Sequence, residues 1–166
     1  MNRIKSRKWR SLVFRDPRRD LVNLGRLQAK WDKAGISPTL ANLRTHELRR
    51  YLECRQAALF AYFVGHSVLE TPIAYAMCEE EDYDCVLRWK AQRRNCFLAV
   101  QLKEIVPLSL NAKATVISEL AKLSKYVTSE QTVVAIHMNQ SGSLDFSDIE
   151  KPHTSCSEIW LYGALS

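Results

Sequence analysis

Asp84, Gln101 and Lys103 bring an acid, an amide and an amine within reach of one another, with 16 residues between the first two. The segments that hold them, 84–90 and 96–106, are apolar. The polar Ala91-Gln92-Arg93-Arg94-Asn95 separates them, the pattern of a hairpin with a slightly long turn. Side chains alternate along a strand, so Gln101 and Lys103 point to one face and Leu102 to the other. An acid, an amide carbonyl and an ammonium group can then converge, and the parity is the one a two-residue active-site motif on a strand requires. Other chemistries find less support in the spacing. The cysteines at 54, 78, 85, 96 and 156 include no C-x-x-C pair, and the histidines at 46, 66, 137 and 153 no i, i+4 pair, so zinc and disulfide frameworks fail. Reduced, mostly buried thiols are expected. His137, in an apolar run, reads as a core or edge histidine, and Trp89, Trp160 and Tyr162 read as core aromatics.

Several elements must position this set. Residues 1–15 alternate Lys and Arg with Trp9, Leu12 and Phe14, suggesting a flexible arm or a short helix. Asp16-Pro17 is an N-cap followed by proline in the first turn, and Leu24, Leu27 and Trp31 recur at helical spacing until Gly35. Ser37-Pro38 repeats the start signal. Leu48, Tyr51, Leu52, Ala58, Leu59, Tyr62 and Phe63 then share one face before Gly65, which predicts one long second helix against the core. Alternation at Ile73, Tyr75 and Met77 predicts a strand ahead of the acidic run Glu79-Glu80-Glu81-Asp82, read as a solvated turn. After the hairpin, Asn111 is the expected cap of a helix whose Ile117, Leu120, Ala121 and Ser124 face inward. Lys113, Lys122 and Lys125 form its wet side, and it ends near Tyr126-Val127. Residues 132–138 are apolar at nearly every position, as in a strand covered on both faces. A polar loop at 139–157 and a last strand at 158–165 complete the chain. Strand, helix, strand implies a right-handed parallel crossover. The expected fold is α/β, a mixed sheet flanked by helices, with 1–37 a basic N-terminal arm and helix and 38–166 the core.

With its helix acid in Leu52-Glu53-Cys54, then Tyr83-Asp84-Cys85-Val86-Leu87, then Val100-Gln101-Leu102-Lys103, the chain resembles the PD-(D/E)xK nuclease superfamily of restriction-endonuclease-like fold. Within that superfamily it resembles the modification-dependent restriction enzymes in which glutamine replaces the usual acid. The resemblance covers about residues 45 to 139. It implies that Asp84 binds Mg²⁺ (or Mn²⁺), which favours hard oxygen ligands, helped by the Gln101 side-chain oxygen and the Leu102 carbonyl. It implies that the cation polarises a phosphodiester and acidifies a water. Lys103 would orient that water or stabilise the charge developing on phosphorus. Glu53 would hold a water of the cation's shell or a second ion. Glu70 competes with Glu53 for the helix-acid role; Glu53 is preferred because its helix is strongly periodic and ends just before the first strand. No proline precedes Asp84, and an amide is a poorer metal ligand than a carboxylate. The alternative is therefore a catalytically inactive module of the same fold that binds nucleic acid or a protein partner.

The 166-residue chain has 46% apolar and 25% charged residues, near the averages for globular proteins, which argues against wholesale disorder. Its longest apolar run, 57–65, is far short of the roughly 18 residues that span a bilayer, and the apolar stretch 11–14 is too short for a secretory signal. A cytoplasmic protein with no membrane partner is expected. The net charge of +6 is uneven: residues 1–55 carry 15 Lys/Arg and 5 Asp/Glu, whereas 56–166 carry 9 and 13. Arg3, Lys5, Arg7, Lys8, Arg10, Arg18 and Arg19 are the candidates for gripping a phosphate backbone, DNA by the resemblance, in a salt-sensitive and largely sequence-blind way. Two cuts in a duplex call for two sites, and hence for a homodimer.

Overall fold

The computed structural model describes residues 8–78, 80, 83–125, 132–140, 147, 149 and 154–163. The order of elements is α1 (Pro17–Lys33), α2 (Pro38–Ala41), a 3₁₀ turn (His46–Leu48), α3 (Arg49–Phe63) running on as a π-helical turn (Val64–Val68), β1 (Ala74–Met77), β2 (Cys85–Ala91), β3 (Arg94–Ile105), α4 (Val116–Ala121) with a 3₁₀ turn (Lys122–Lys125), β4 (Thr132–Met138) and β5 (Glu158–Tyr162). The protein is mixed α/β: a five-stranded mixed sheet in the order β1-β2-β3-β4-β5, flanked by helices. β1 and β2 are antiparallel, while β3, β4 and β5 are parallel. The chain divides into two compact units, residues 1–79 with 85–98 and residues 80–84 with 99–166. No helix among the described residues is long and apolar enough to cross a membrane.

In the first unit, α1 starts as its sequence dictates. The Asp16 carboxylate accepts the N–H groups of Arg18 and Arg19, satisfying two donors that a helix start leaves open. α1 packs on α3, which buries Ala57, Ala58, Phe60 and Ala61 and packs on β1. The single long second helix is not formed. The chain breaks after α2, where Leu43 adopts φ 60° and buries its side chain, and it resumes only at the 3₁₀ turn. A left-handed leucine cannot continue a right-handed helix. Tyr51 and Tyr62 also leave the expected apolar face, being 55% and 42% exposed. The hairpin turn is shorter than expected. Only Gln92 and Arg93 lie outside the strands, at φ 47° and 65°, the two positive values of a type I′ turn, whose twist matches that of the strands. Ala91, Arg94 and Asn95 are exposed but extended, part of the strands.

The segment before α1 is anchored from Trp9 onward. Trp9 is 3% exposed, and its ring and that of Phe14 each lie 6.1 Å from Phe97. Arg15 then pairs with Tyr75 through both backbone hydrogen bonds, 2.8 and 3.0 Å. The same two residues meet through their side chains. Asp20 Oδ2 accepts the Tyr75 hydroxyl at 2.6 Å and lies 2.8 Å from Arg15 Nε. Burial, together with the adjacent Asp20 carboxylate, holds the Tyr75 phenol well above its usual titration range, and burial also raises the Cys54 thiol. Cys85 is the one cysteine that is fully buried; the other four are half-buried.

In the second unit, α4 begins at Thr115 rather than at Asn111. The Thr115 hydroxyl accepts the Ser118 N–H, and the Ser118 hydroxyl accepts the Thr115 N–H, a reciprocal capping box. Asn111 instead accepts the Lys113 N–H in a local turn. The buried face is Val116, Leu120 and Leu123, packed with Ile105, Val134 and Ile136, so Ile117 and Ala121 face out. The expected helix end at Tyr126-Val127 and the expected strand end at Leu165 lie outside the described residues, as do Glu79, Glu81 and Asp82.

Removing the Tyr75 hydroxyl tests how α1 is held. Tyr75→Phe is expected to lower unfolding stability by about 1–3 kcal/mol, the worth of a hydrogen bond to a charged group. A phenol held protonated in the folded state stabilises the fold below its ordinary pKa and loses that contribution as pH rises toward the folded value. Urea melts from pH 8 upward are therefore expected to show a decline in stability above about pH 10 that is shallower in the variant.

Candidate functional site

In the second unit, Asp84 closes the edge of β3 that β4 does not fill. Its own N–H donates to the Val100 carbonyl at 2.9 Å, and its carboxylate turns back so that Oδ2 accepts the Leu102 N–H at 2.6 Å. The Gln101 side chain donates Nε2 to the same oxygen at 2.5 Å. An extended residue sends its N–H and C=O to the same edge, so the Leu102 carbonyl also leaves on the Asp84 side. The other edge of β3 is filled by β4, with Gln101 opposite Val134 and Lys103 opposite Ile136. Gln101 is 7% exposed, one of three polar residues buried among those described, and Asp84 satisfies its amide. Lys103 follows two residues on, half-buried, on the same face.

Of the expected set, Asp84 and Gln101 are brought together within the second unit, and Lys103 lies two residues further along the same strand. Glu53 and Glu70 belong to the first. Glu53 sits on α3 with its carboxylate 3.1 Å from Arg49 Nε, one turn earlier, and Glu70 is exposed at φ 48° after the π-helical turn. Of the basic candidates, Lys8, Arg10, Arg18 and Arg19 are exposed; Arg3, Lys5 and Arg7 lie outside the described residues.

The donor set suits a hard divalent cation in kind: carboxylate, amide oxygen and backbone carbonyl. One rearrangement is required, because the Gln101 amide presents its NH₂ end to Asp84. Turning the amide by half a rotation exchanges donor for acceptor and aims Oε1 at the same place. Mg²⁺ is ordinarily held by one or two carboxylates with waters and substrate phosphates completing the shell, so a single aspartate is within range.

Sequence reasoning missed Glu104 and Asn139 in this unit and read His137 and Tyr162 only as core or edge residues. Glu104 points to the opposite face from Lys103 and accepts the Asn139 amide at 2.7 Å; it stands opposite His137, whose ring lies 5.1 Å from that of Tyr162. The three strands run parallel, so these residues gather at their C-terminal ends. Strand alternation and parallel register were the signals that could have found them. No family model matches the chain, and no curated protein or solved structure matches it.

Because Asp84 closes the β3 edge, Asp84→Ala leaves the buried Gln101 amide and the Leu102 N–H without this acceptor. A loss of about 1–3 kcal/mol is expected in chemical denaturation, the cost of a buried donor left unpaired. Asp84→Asn, which keeps an oxygen in the same position, is expected to lose less.

Proposed function

We propose that the chain is a Mg²⁺- or Mn²⁺-dependent nuclease that hydrolyses phosphodiester bonds in DNA, built on the restriction-endonuclease-like core. The observation that carries this reading is the meeting of Gln101 Nε2 and Leu102 N–H on one oxygen of Asp84, with Lys103 next along the same face. The order α3, β1, the β2–β3 hairpin, α4, β4 agrees with the element order that the superfamily resemblance implies, and the parallel pairing of β3 with β4 agrees with its crossover.

In this reading Asp84, the turned Gln101 amide and the Leu102 carbonyl hold the cation. When bound, it supplies Lewis-acid polarisation of the phosphate and acidifies water. Lys103 stabilises negative charge as it develops on the phosphoryl oxygens, a task its fixed position on a paired strand suits. The exposed cations Lys8, Arg10, Arg18 and Arg19 hold the sugar-phosphate backbone, and duplex cutting would engage a homodimer. A non-catalytic module is the second reading, favoured by one observation: the protein's own N–H groups already answer the Asp84 oxygen.

Nicking of supercoiled plasmid in Mg²⁺ or Mn²⁺ separates the two. Lys103→Ala is expected to slow nicking by about a hundredfold or more, the scale for losing one preorganised charge-stabilising group, with duplex affinity nearly unchanged. Asp84→Asn is expected to abolish nicking and the heat of Mn²⁺ binding in calorimetry. A Lys103→Ala protein that nicks like the parent removes Lys103 from the mechanism, and a parent that neither nicks nor binds Mn²⁺ leaves the module.

A further inference from the structure

The first unit contains a cleft of about 1240 Å³ bounded by the start of α1, the end of α3 and the segments around the hairpin turn. Two kinds of side chain give it a chemical character. Arg15, Arg18, Arg88 and Lys90 line it, against the carboxylates of Asp16 and Glu70. Arg15 is committed to Asp20, and Arg88 lies 4.1 Å above the Phe14 ring. Arg18 and Lys90 are exposed and make no ion pair among the described residues, while Asp16 spends its Oδ1 on the helix start. The surplus is positive. Aromatic faces accompany it: Tyr62 and His66 stack at 5.7 Å with ring planes 10° apart, and half-buried Trp89 joins the lining.

The backbone that presents these rings is irregular for a stated reason. α3 loosens into a π-helical turn over Val64–Val68, a departure found often at functional sites. Gly65 allows the chain to return against itself; a Cβ there would lie 2.9 Å from the Thr71 carbonyl oxygen. Glu70 then holds φ 48°, a conformation that costs a non-glycine residue energy. Gly65, His66, Glu70 and Thr71 all line the cleft.

We propose that this cleft binds a single-stranded nucleic-acid segment, with bases on the Tyr62–His66 pair and phosphates toward Arg18 and Lys90. The volume exceeds the roughly 300–1,000 Å³ typical of small-molecule pockets. Positive surplus selects a polyanion, and exposed rings select one with free planar faces. An acidic peptide would use the cations and leave the rings idle. Bases inside a duplex have their faces covered, so an unpaired strand fits where a duplex does not. The proposal goes beyond the hydrolytic reading, with which it shares Arg18 but none of the reacting groups, because it concerns binding without a divalent cation.

Fluorescence anisotropy in EDTA at low salt tests it, using the full chain and a fluorescein-labelled oligothymidylate of about 12 nucleotides, within the span of single-strand grooves. Tyr62→Ala is expected to weaken binding about tenfold, and Tyr62→Phe, which keeps the ring, to leave it near the parent value. The double variant Arg18→Ala, Lys90→Ala is expected to weaken binding and flatten its salt dependence. All these positions are exposed, and circular dichroism melts check that folding is kept. A duplex of the same length is expected to be indifferent to Tyr62→Ala. The parent is expected to bind the single strand in EDTA whether or not it nicks plasmid in Mg²⁺, so failure of the hydrolytic reading would leave this one standing. Unchanged single-strand affinity in Tyr62→Ala, an equal loss for the duplex, or competition by polyglutamate as effective as by unlabelled oligothymidylate would each overturn the proposal.

Discussion

A backbone donor near the end of a strand must find an acceptor, and that requirement organises the second unit. The Leu102 N–H points away from β4 and would lack this acceptor if the Asp84 carboxylate did not reach it. The same reach brings the Gln101 amide onto the carboxylate and sets the facing of everything that follows along the strand. Fixing Asp84 against β3 also fixes which side Lys103 and Ile105 share. Ile105 goes under α4 with Val134 and Ile136, and this packing holds β3 against β4 in register. The structural role of Asp84 and the chemical role proposed for it are therefore not separable by position; they differ in what each asks of the carboxylate, a hydrogen-bond acceptor in one case and a charge in the other.

Much of this was legible in the sequence because period-two alternation needs no tertiary information. Gln101 and Lys103 on one face, the apolar run of β4 and the crossover between β3 and β4 all follow from local pattern. The hairpin shows where local reading stops. Ala91, Arg94 and Asn95 look like loop residues, yet they lie in exposed ends of strands, and a two-residue turn is closed by Gln92 and Arg93 in conformations their side chains do not favour.

The misread helices have a different cause. Tyr51 and Tyr62 match the apolar period of α3 but are exposed, while Ala57, Ala58 and Ala61 form the tight contact surface. Small residues carry that packing, and hydrophobicity alone underweights them. Leu43 breaks the expected helix by burying its side chain from a left-handed backbone, an outcome in which tertiary burial overrides local preference. The cap at Thr115 was present in the sequence as a hydroxyl pair three residues apart, but Asn111 offered an equally strong local signal four residues earlier. Trp9 was hidden by its surroundings: a run of arginines and lysines reads as a free arm until a partner such as Phe97 is known.

Glutamine at position 101 also has a physical logic in the site. Two carboxylates this close would repel each other whenever no cation lay between them, and the cost would fall on the stability of the β2–β3 edge. An amide avoids that conflict. With its NH₂ end toward Asp84 it donates to the carboxylate from a buried position. On the proposed reading, turning about one bond gives the same residue an oxygen for a cation, at the loss of the hydrogen bond it had been making. Cation affinity is then the difference between two satisfied arrangements, whereas with two carboxylates it would be relief of a repulsion. On that reading the site would exchange metal affinity for a stable edge in the absence of metal, and the phosphate of a bound strand would become a larger share of what holds the ion.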